Sequence, residues 1–321
     1  MKIVLLDAYS LGDADLTPIT SLGDCVCHEE TAPEDTAARC AGADVVVTNK
    51  VRITRDIMTQ LKQLKLICVA ATGTNNIDLE AAADLGIAVK NVPGYSTYSV
   101  VETTVAMALG LWRQTAYYDA FVKSGAYSAS GRVFHLDRPV QELRGKCWGI
   151  IGMGQIGHAV ARVAEALGTS VCYYSTSGRN LEAGYPCLPL DRLMREADIL
   201  SVHAPLNART NGLVGEEALR LMRPSAVIVN VARGGIVDEA AVARALNEGR
   251  LAGYAADVFP EEPLPATSPL FSVTDRTRLM LTPHYAWASA EARERLVRVM
   301  AEHIGQLKKE MESCRTNSRE K

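Results

Sequence analysis

The chain has 321 residues, 48% of them hydrophobic and 22% charged, and a net charge of −3. That length suits two domains with substantial cores, and the charge balance offers no basic face to nucleic acid or to an anionic membrane. No apolar run approaches the ~20 residues that span a bilayer, and the apolar start "MKIVLLDA" is too short for a signal peptide. The expectation is a cytoplasmic protein acting on small soluble molecules.

In chain order, short apolar runs alternate with helical patterns, which predicts parallel sheets covered by helices. The alternation occurs twice. The first third carries strands at 2–8, 44–49, 64–70 and 87–92, with helices near 34–41, 54–62 and 78–85. The stretch from Ser96 to about Ser124 has helical periodicity and reads as one long connecting helix. Six more strands follow at 147–152, 170–175, 199–204, 226–232, 253–258 and 278–283, the number a dinucleotide-binding fold requires. The last, with Leu279, Met280 and Leu281, reads as buried. A second amphipathic helix from Ala288 to about Leu307 presents Leu296, Val299, Met300, Ile304 and Leu307 on one face, and the polar tail beyond it is expected to fray. The fold class is therefore α/β, with two doubly wound parallel-sheet domains. A Rossmann dinucleotide-binding domain (98–287) is inserted into a flavodoxin-like substrate domain formed by 1–97 and 288–321.

Eight cysteines are scattered along the chain, several inside apolar runs such as "LICVA" and "SVCYY". Cys25 and Cys27 lack a second pair or a histidine couple, so reduced thiols and no metal are expected.

"GIIGMGQIG" sets Gly152, Gly154 and Gly157 in G-x-G-x-x-G spacing between a strand and a helix. The first glycine permits the tight turn, the second lets the backbone approach a pyrophosphate, and the third lets helix and strand pack closely. The pyrophosphate would rest on the helix N-terminus, whose free N–H groups favour negative charge. About 20 residues further on, where a carboxylate usually grips the ribose diol, this chain has Ser175. Without that acid, a 2′-phosphate meets no repulsion. Ser175, Thr176 and Ser177 would hydrogen-bond it and Arg179 would pair with it, so NADP(H) is favoured, with NAD(H) the alternative.

Ligands bind beyond the carboxyl ends of strands in open parallel sheets. Arg233, Glu262 and His284 each follow one of the last three strands, so all three fall on the edge that carries the glycine loop. Singly, each has a plain reading as a turn arginine, a loop acid or a packed histidine. Together they form an anion clamp, an orienting carboxylate and a proton donor.

These blocks, "GIIGMGQIG", "SVHAPLNART", "NVARGGIVDEAAVARAL", "GYAADVFPEEPL" and "LTPHYAWAS", resemble the successive signatures of the D-isomer-specific 2-hydroxyacid dehydrogenase family. "TNK" and "NVPGYST" resemble especially its glycerate dehydrogenase, or hydroxypyruvate reductase, branch. The resemblance implies an NAD(P)H-dependent enzyme that interconverts a small 2-oxo acid, hydroxypyruvate or glyoxylate, and the D-2-hydroxy acid, D-glycerate or glycolate, in a cleft between the domains. His284 would give the proton, Glu262 would hold the ring's tautomer, and Arg233 would grip the 2-oxo acid in a bidentate fork. It implies further cofactor contacts from Gln155, Ile156, Ala204, Pro205, Thr210, Val231, Ala232 and Thr104, with Asp257 at the nicotinamide carboxamide and His203 packed beneath. Substrate would meet the backbone of Thr72 and Gly73 in "ATGTNNID", with Asn49, Lys50 and Tyr95 lining the same pocket. A homodimer embraced by residues about 113–145 is also implied. A nucleotide-sensing transcriptional corepressor of the same fold is the alternative from another function class.

Overall fold

The computed structural model describes residues 1–179, 181 and 184–317. Glu182, the first acid after Ser175, lies outside them. The chain separates into two compact units, one made of Met1–Ser96 with the segment from Ala288 onward, the other of Thr97–Trp287.

The first unit has five parallel strands, β1 (Lys2–Leu5), β2 (Asp24–Cys27), β3 (Val45–Thr48), β4 (Leu66–Val69) and β5 (Ala88–Lys90), in the order β2-β1-β3-β4-β5. β3 ("VVVT") and β4 ("LICV") are buried at every position, as strands covered on both faces must be, and β-branched residues suit that environment. Four of the five were expected. β2 was missed because it is an edge strand with three of four residues exposed, and it carries Cys25 and Cys27, whose sulfurs lie 4.0 Å apart. The helix expected near 34–41 opens with a 3-10 turn at Pro33–Asp35 and continues as Thr36–Arg39.

The last helix, Ala290–Asn317, runs ten residues beyond the expected end. It buries Ala292, Leu296, Val297, Met300 and Ile304 and packs against β4 and the short helix Thr17–Thr20. Charged residues along "KKEMES" do not stop a helix already nucleated by that packing, since Lys, Glu and Met are good helix formers. Among the described residues, no helix is long and apolar enough to cross a membrane.

The second unit holds β6 (Cys147–Ile151), β7 (Ser170–Tyr174), β8 (Ile199–Val202), β9 (Val227–Asn230), β10 (Gly253–Ala256) and β11 (Leu279–Leu281), all parallel, in the order β11-β10-β9-β8-β6-β7. Numbered within the unit from β7, that is 2-1-3-4-5-6, so the strand order reverses beside β6, with β8 on one side and β7 on the other. A crevice is expected at such a switch point. β11 is only partly buried, against expectation, because as an edge strand it has a neighbour on one side alone.

The connecting helix is also not continuous. It runs from Thr97 to Trp112 and breaks at Gln114, which has left-handed backbone (φ 56°), before the helices Thr115–Lys123 and Ala126–Ser130. The new axis is fixed by the segment beyond it. Arg138 reaches Gln114 Oε1 (3.2 Å) and stacks on Tyr117, Tyr118 donates to the Arg138 carbonyl (2.8 Å), and Phe121 stacks on His135. Apolar periodicity reports a face, not a change of direction, so the break was invisible to it.

Candidate active site

The turn after β6 has the geometry that a phosphate-cradling loop needs. Gly152 has φ +93°, and a Cβ there would lie 2.9 Å from the His203 carbonyl and the Ala204 nitrogen. Gly157 opens the first turn of the helix Gln155–Ala166 so close to the strand exit that a Cβ would sit 2.3 Å from the Gly152 oxygen. Gly154 differs from both. A Cβ there would meet nothing within 4 Å, so the space above it is open to a ligand. Gln155 and Ile156 begin the helix whose free N–H groups face the same loop.

A cavity of about 540 Å³ sits over this loop, walled by Gly152, Met153 and Gly154 after β6, Ser175, Thr176 and Ser177 after β7, and His203, Pro205, Asn207, Ala208 and Arg209 after β8. These are the exits of three adjacent strands at the switch point. The residues present therefore fit a dinucleotide. Seven of the expected cofactor residues line the cavity. Of the others after β8, Ala204 and Thr210 are buried beneath the loop, where Thr210 Oγ1 donates to the Pro205 carbonyl (2.6 Å) and accepts from Asn207 N (2.9 Å). Arg179 does not line the cavity. Its carbonyl accepts from Ser175 Oγ and its N–H donates to Ser177 Oγ (3.1 Å), which closes a tight polar turn. Thr104 is fully buried in its helix and donates back to the Val100 carbonyl (2.7 Å).

His203 combines two environments. The residue is partly exposed to the cavity, yet both ring nitrogens are shielded from solvent and have no hydrogen-bond partner among the described residues. That burial pushes its pKa down to about 3, so the ring is neutral at physiological pH.

The three charged groups beyond β9, β10 and β11 are braced loop against loop. His284 Nδ1 lies 2.7 Å from Glu262 Oε2, and the other Glu262 oxygen accepts the Phe259 N–H (3.0 Å). The Phe259 backbone in turn lies against the Arg233 loop. A Cβ on Gly234 would fall 1.9 Å from the Phe259 carbonyl carbon, so only glycine lets the two loops meet. Val231 is buried and Ala232 half-buried in that loop, which Asn230 holds at both ends, accepting from Ala232 N (3.2 Å) and donating to the Arg233 carbonyl (3.0 Å). Arg233 itself is exposed, with Nη1 on the Ala232 carbonyl (2.7 Å).

His284 has left-handed backbone, φ 54°, a conformation that costs a non-glycine residue of order 1–3 kcal/mol. Asp257 supplies the restraint. This buried carboxylate accepts from Thr282 Oγ1 (2.6 Å), Tyr285 N (2.9 Å) and Ala286 N (2.9 Å), bonds that grip the chain on both sides of the histidine. Burial raises the Asp257 pKa, and the three donors work against that rise. Both oxygens are thus committed to the His284 loop.

In the first unit, the N–H groups of Asn49 (2.9 Å) and Lys50 (2.6 Å) both point at the buried Asp7 carboxylate. The Thr72 carbonyl accepts from Asn91 Nδ2 (2.6 Å), Gly73 follows it in the half-buried turn before Ile77, and Tyr95 is buried with its carbonyl on Arg295 Nε (2.9 Å).

Asp7, Asn230 and the Asn207–Arg209 wall escaped the sequence reading. Only the last had a visible signal, since "NART" belongs to a block already singled out. Asp7 and Asn230 act on loops by contacts that no local spacing reveals.

Residues 105–286 match the family model described as D-isomer specific 2-hydroxyacid dehydrogenase, NAD binding domain. The chain is 33% identical to a hydroxypyruvate reductase of Blautia hydrogenotrophica over 95% of its own length and 96% of that protein's. It is 35% identical to a glycerate dehydrogenase of Methylorubrum extorquens over 94% and 95% of the two lengths. Among solved structures, D-lactate dehydrogenase from Aquifex aeolicus, complexed with NAD and lactic acid, superposes with a TM-score of 0.83 at 25% identity, covering 96% of each chain. With the parallel-sheet order and the glycine loop already in place, these matches make the chain a nicotinamide-dependent oxidoreductase, a member of the D-isomer-specific 2-hydroxyacid dehydrogenase family.

Proposed function

We propose that this protein is a cytoplasmic reductase that converts hydroxypyruvate or glyoxylate to the D-2-hydroxy acid, with NADPH preferred over NADH. The observation that carries the chemistry is the 2.7 Å contact between His284 Nδ1 and Glu262 Oε2. It leaves Nε2 as the ring nitrogen available to substrate, and it sets a negative charge behind a ring that must carry a positive one. When bound, the reduced nicotinamide supplies the hydride that reaches the carbonyl carbon. The developing alkoxide then needs a proton. Protonated His284 donates it from Nε2, Glu262 stabilises the imidazolium and fixes its tautomer, and acid catalysis of this kind contributes about 10²–10⁴ in rate. Arg233 holds the carboxylate and carbonyl oxygens through its planar fork, with its loop kept in place by Asn230.

Support for the substrate class comes from the two relatives, one named a hydroxypyruvate reductase and one a glycerate dehydrogenase. Support for NADPH comes from the cavity wall, where Ser175, Thr176 and Ser177 stand in place of a carboxylate. A homodimer is favoured by the exposed apolar side chains of Val133, Phe134 and Leu136, each at least 74% accessible, within the arm 113–145. Side chains of that kind gathered on one short segment mark a contact surface.

The test is a panel of 2-oxo acids assayed with both reduced cofactors. Turnover of hydroxypyruvate or glyoxylate, with kcat/KM higher for NADPH, is the expected result. A strong NADH preference refutes the cofactor reading, and protein that binds NADPH but reduces none of the acids refutes the reductase reading.

A further inference from the structure

We infer that Arg209 is the residue that sets cofactor choice, by pairing with the 2′-phosphate of NADPH from the β8 side of the dinucleotide cavity. The inference rests on the NADPH reading and assigns its cation to a different residue from the Arg179 of the sequence pattern.

Three observations carry it. First, the cavity wall holds the three hydroxyl-bearing residues Ser175, Thr176 and Ser177 on one strand exit and Arg209 on another, and β7 and β8 flank β6 in the sheet. A phosphate held by the hydroxyls is thus within the same enclosure as this guanidinium. Second, among the described residues Arg209 is the sole side chain of the wall that is charged at neutral pH, since none of them contributes a carboxylate to the cavity and His203 is neutral there. A 2′-phosphate brings a charge of about −1.5 to −2 at pH 7, and Arg179 is not in the wall. Third, the Arg209 guanidinium has no hydrogen-bond or ion-pair partner among the described residues, whereas Arg138, Arg223 and Arg293 are all paired.

Its backbone, by contrast, is fixed. The Arg209 N–H donates to Asn207 Oδ1 (2.9 Å), and the buried Thr210 ties the same turn to Pro205. A restrained backbone with a free planar cation is prepared for an incoming oxyanion, since little ordering remains when the bidentate pair forms.

The probes are adenosine 2′,5′-bisphosphate and 5′-AMP, titrated calorimetrically into the wild type and the variants Arg209→Gln, Arg209→Lys and Arg179→Gln. Arg209→Gln is expected to weaken the bisphosphate about tenfold or more, as loss of a charge-assisted hydrogen bond does, and to leave 5′-AMP unchanged. Arg209→Lys restores part of the affinity, and Arg179→Gln alters neither. Equal weakening of both ligands by Arg209→Gln means a structural or adenine-packing role and overturns the inference, as does loss of the preference in Arg179→Gln instead. Wild-type protein that binds both ligands equally refutes the NADPH reading itself. A preference that survives Arg209→Gln refutes only the assignment to Arg209.

Discussion

Each unit places one buried aspartate at its carboxyl edge, and each aspartate organises the exit loop of the neighbouring strand. Asp7, after β1, takes the N–H groups of Asn49 and Lys50 after β3. Asp257, after β10, takes those of Tyr285 and Ala286 after β11, with the Thr282 hydroxyl. Both are 5% exposed or less. A carboxylate buried so deeply persists only when its oxygens are hydrogen-bonded, and in both units the donors are the backbone of a loop proposed to touch substrate or cofactor. What the two loops carry is different. The Asp7 loop presents backbone and a lysine in relaxed conformation, which suits binding. The Asp257 loop holds a histidine in left-handed backbone against a glutamate, which suits a step that demands one orientation of one ring. The same device therefore serves affinity in one unit and geometry in the other, and of the two loops only the one held by Asp257 carries a non-glycine residue in left-handed backbone.

That contrast can be broken most forcefully at the ring. His284→Ala is expected to lower kcat by about 10²–10⁴ while a fluorescence titration shows NADPH binding nearly unchanged. Retained turnover would mean that another group supplies the proton.

A sharper comparison pairs Asp257→Asn with Asp7→Asn. Each replaces an acceptor by an amide that must face buried N–H donors, so each should cost about 1–3 kcal/mol of stability in denaturant unfolding. Their kinetics should part. Asp257→Asn is expected to lower kcat because the His284 loop relaxes, and Asp7→Asn to raise KM for the 2-oxo acid with kcat retained. If both variants depress kcat alike, the proposed division of labour is wrong.

The smallest effect concerns His203, whose buried, neutral ring has a folded pKa of about 3 against an ordinary value of 6.5. Below pH 6.5 the unfolded chain binds a proton there that the folded chain refuses. Its stability contribution is therefore complete above that pH and falls as acid is added toward pH 3, by up to about 1.4 kcal/mol per pH unit. Unfolding midpoints at pH 7 and pH 5 should differ less in His203→Asn than in wild type. His28 and His303, also lowered by burial, contribute to both proteins and cancel in that difference. An equal pH dependence in the two would show that the ring gains a partner in solution.

Ten of the eleven strands among the described residues, and the order of the motifs along them, are legible in the amino-acid sequence, because buried parallel strands are runs of Val, Ile, Leu and Ala and the glycine spacing is a local backbone requirement. The convergence of Arg233, Glu262 and His284 on one edge follows from the same logic, since parallel strands send every exit loop the same way. Tertiary structure alone decided the reversal of strand order beside β6, the turn of the chain at Gln114 and the extension of the last helix. It also decided which polar groups brace the loops, namely Asp257 under His284, Asn230 under Arg233 and Asp7 under Asn49. The physical reason is range. Periodicity and turn chemistry act over a few residues, whereas a buried carboxylate finds its donors across 28 or 42 positions of chain, and only packing brings those together.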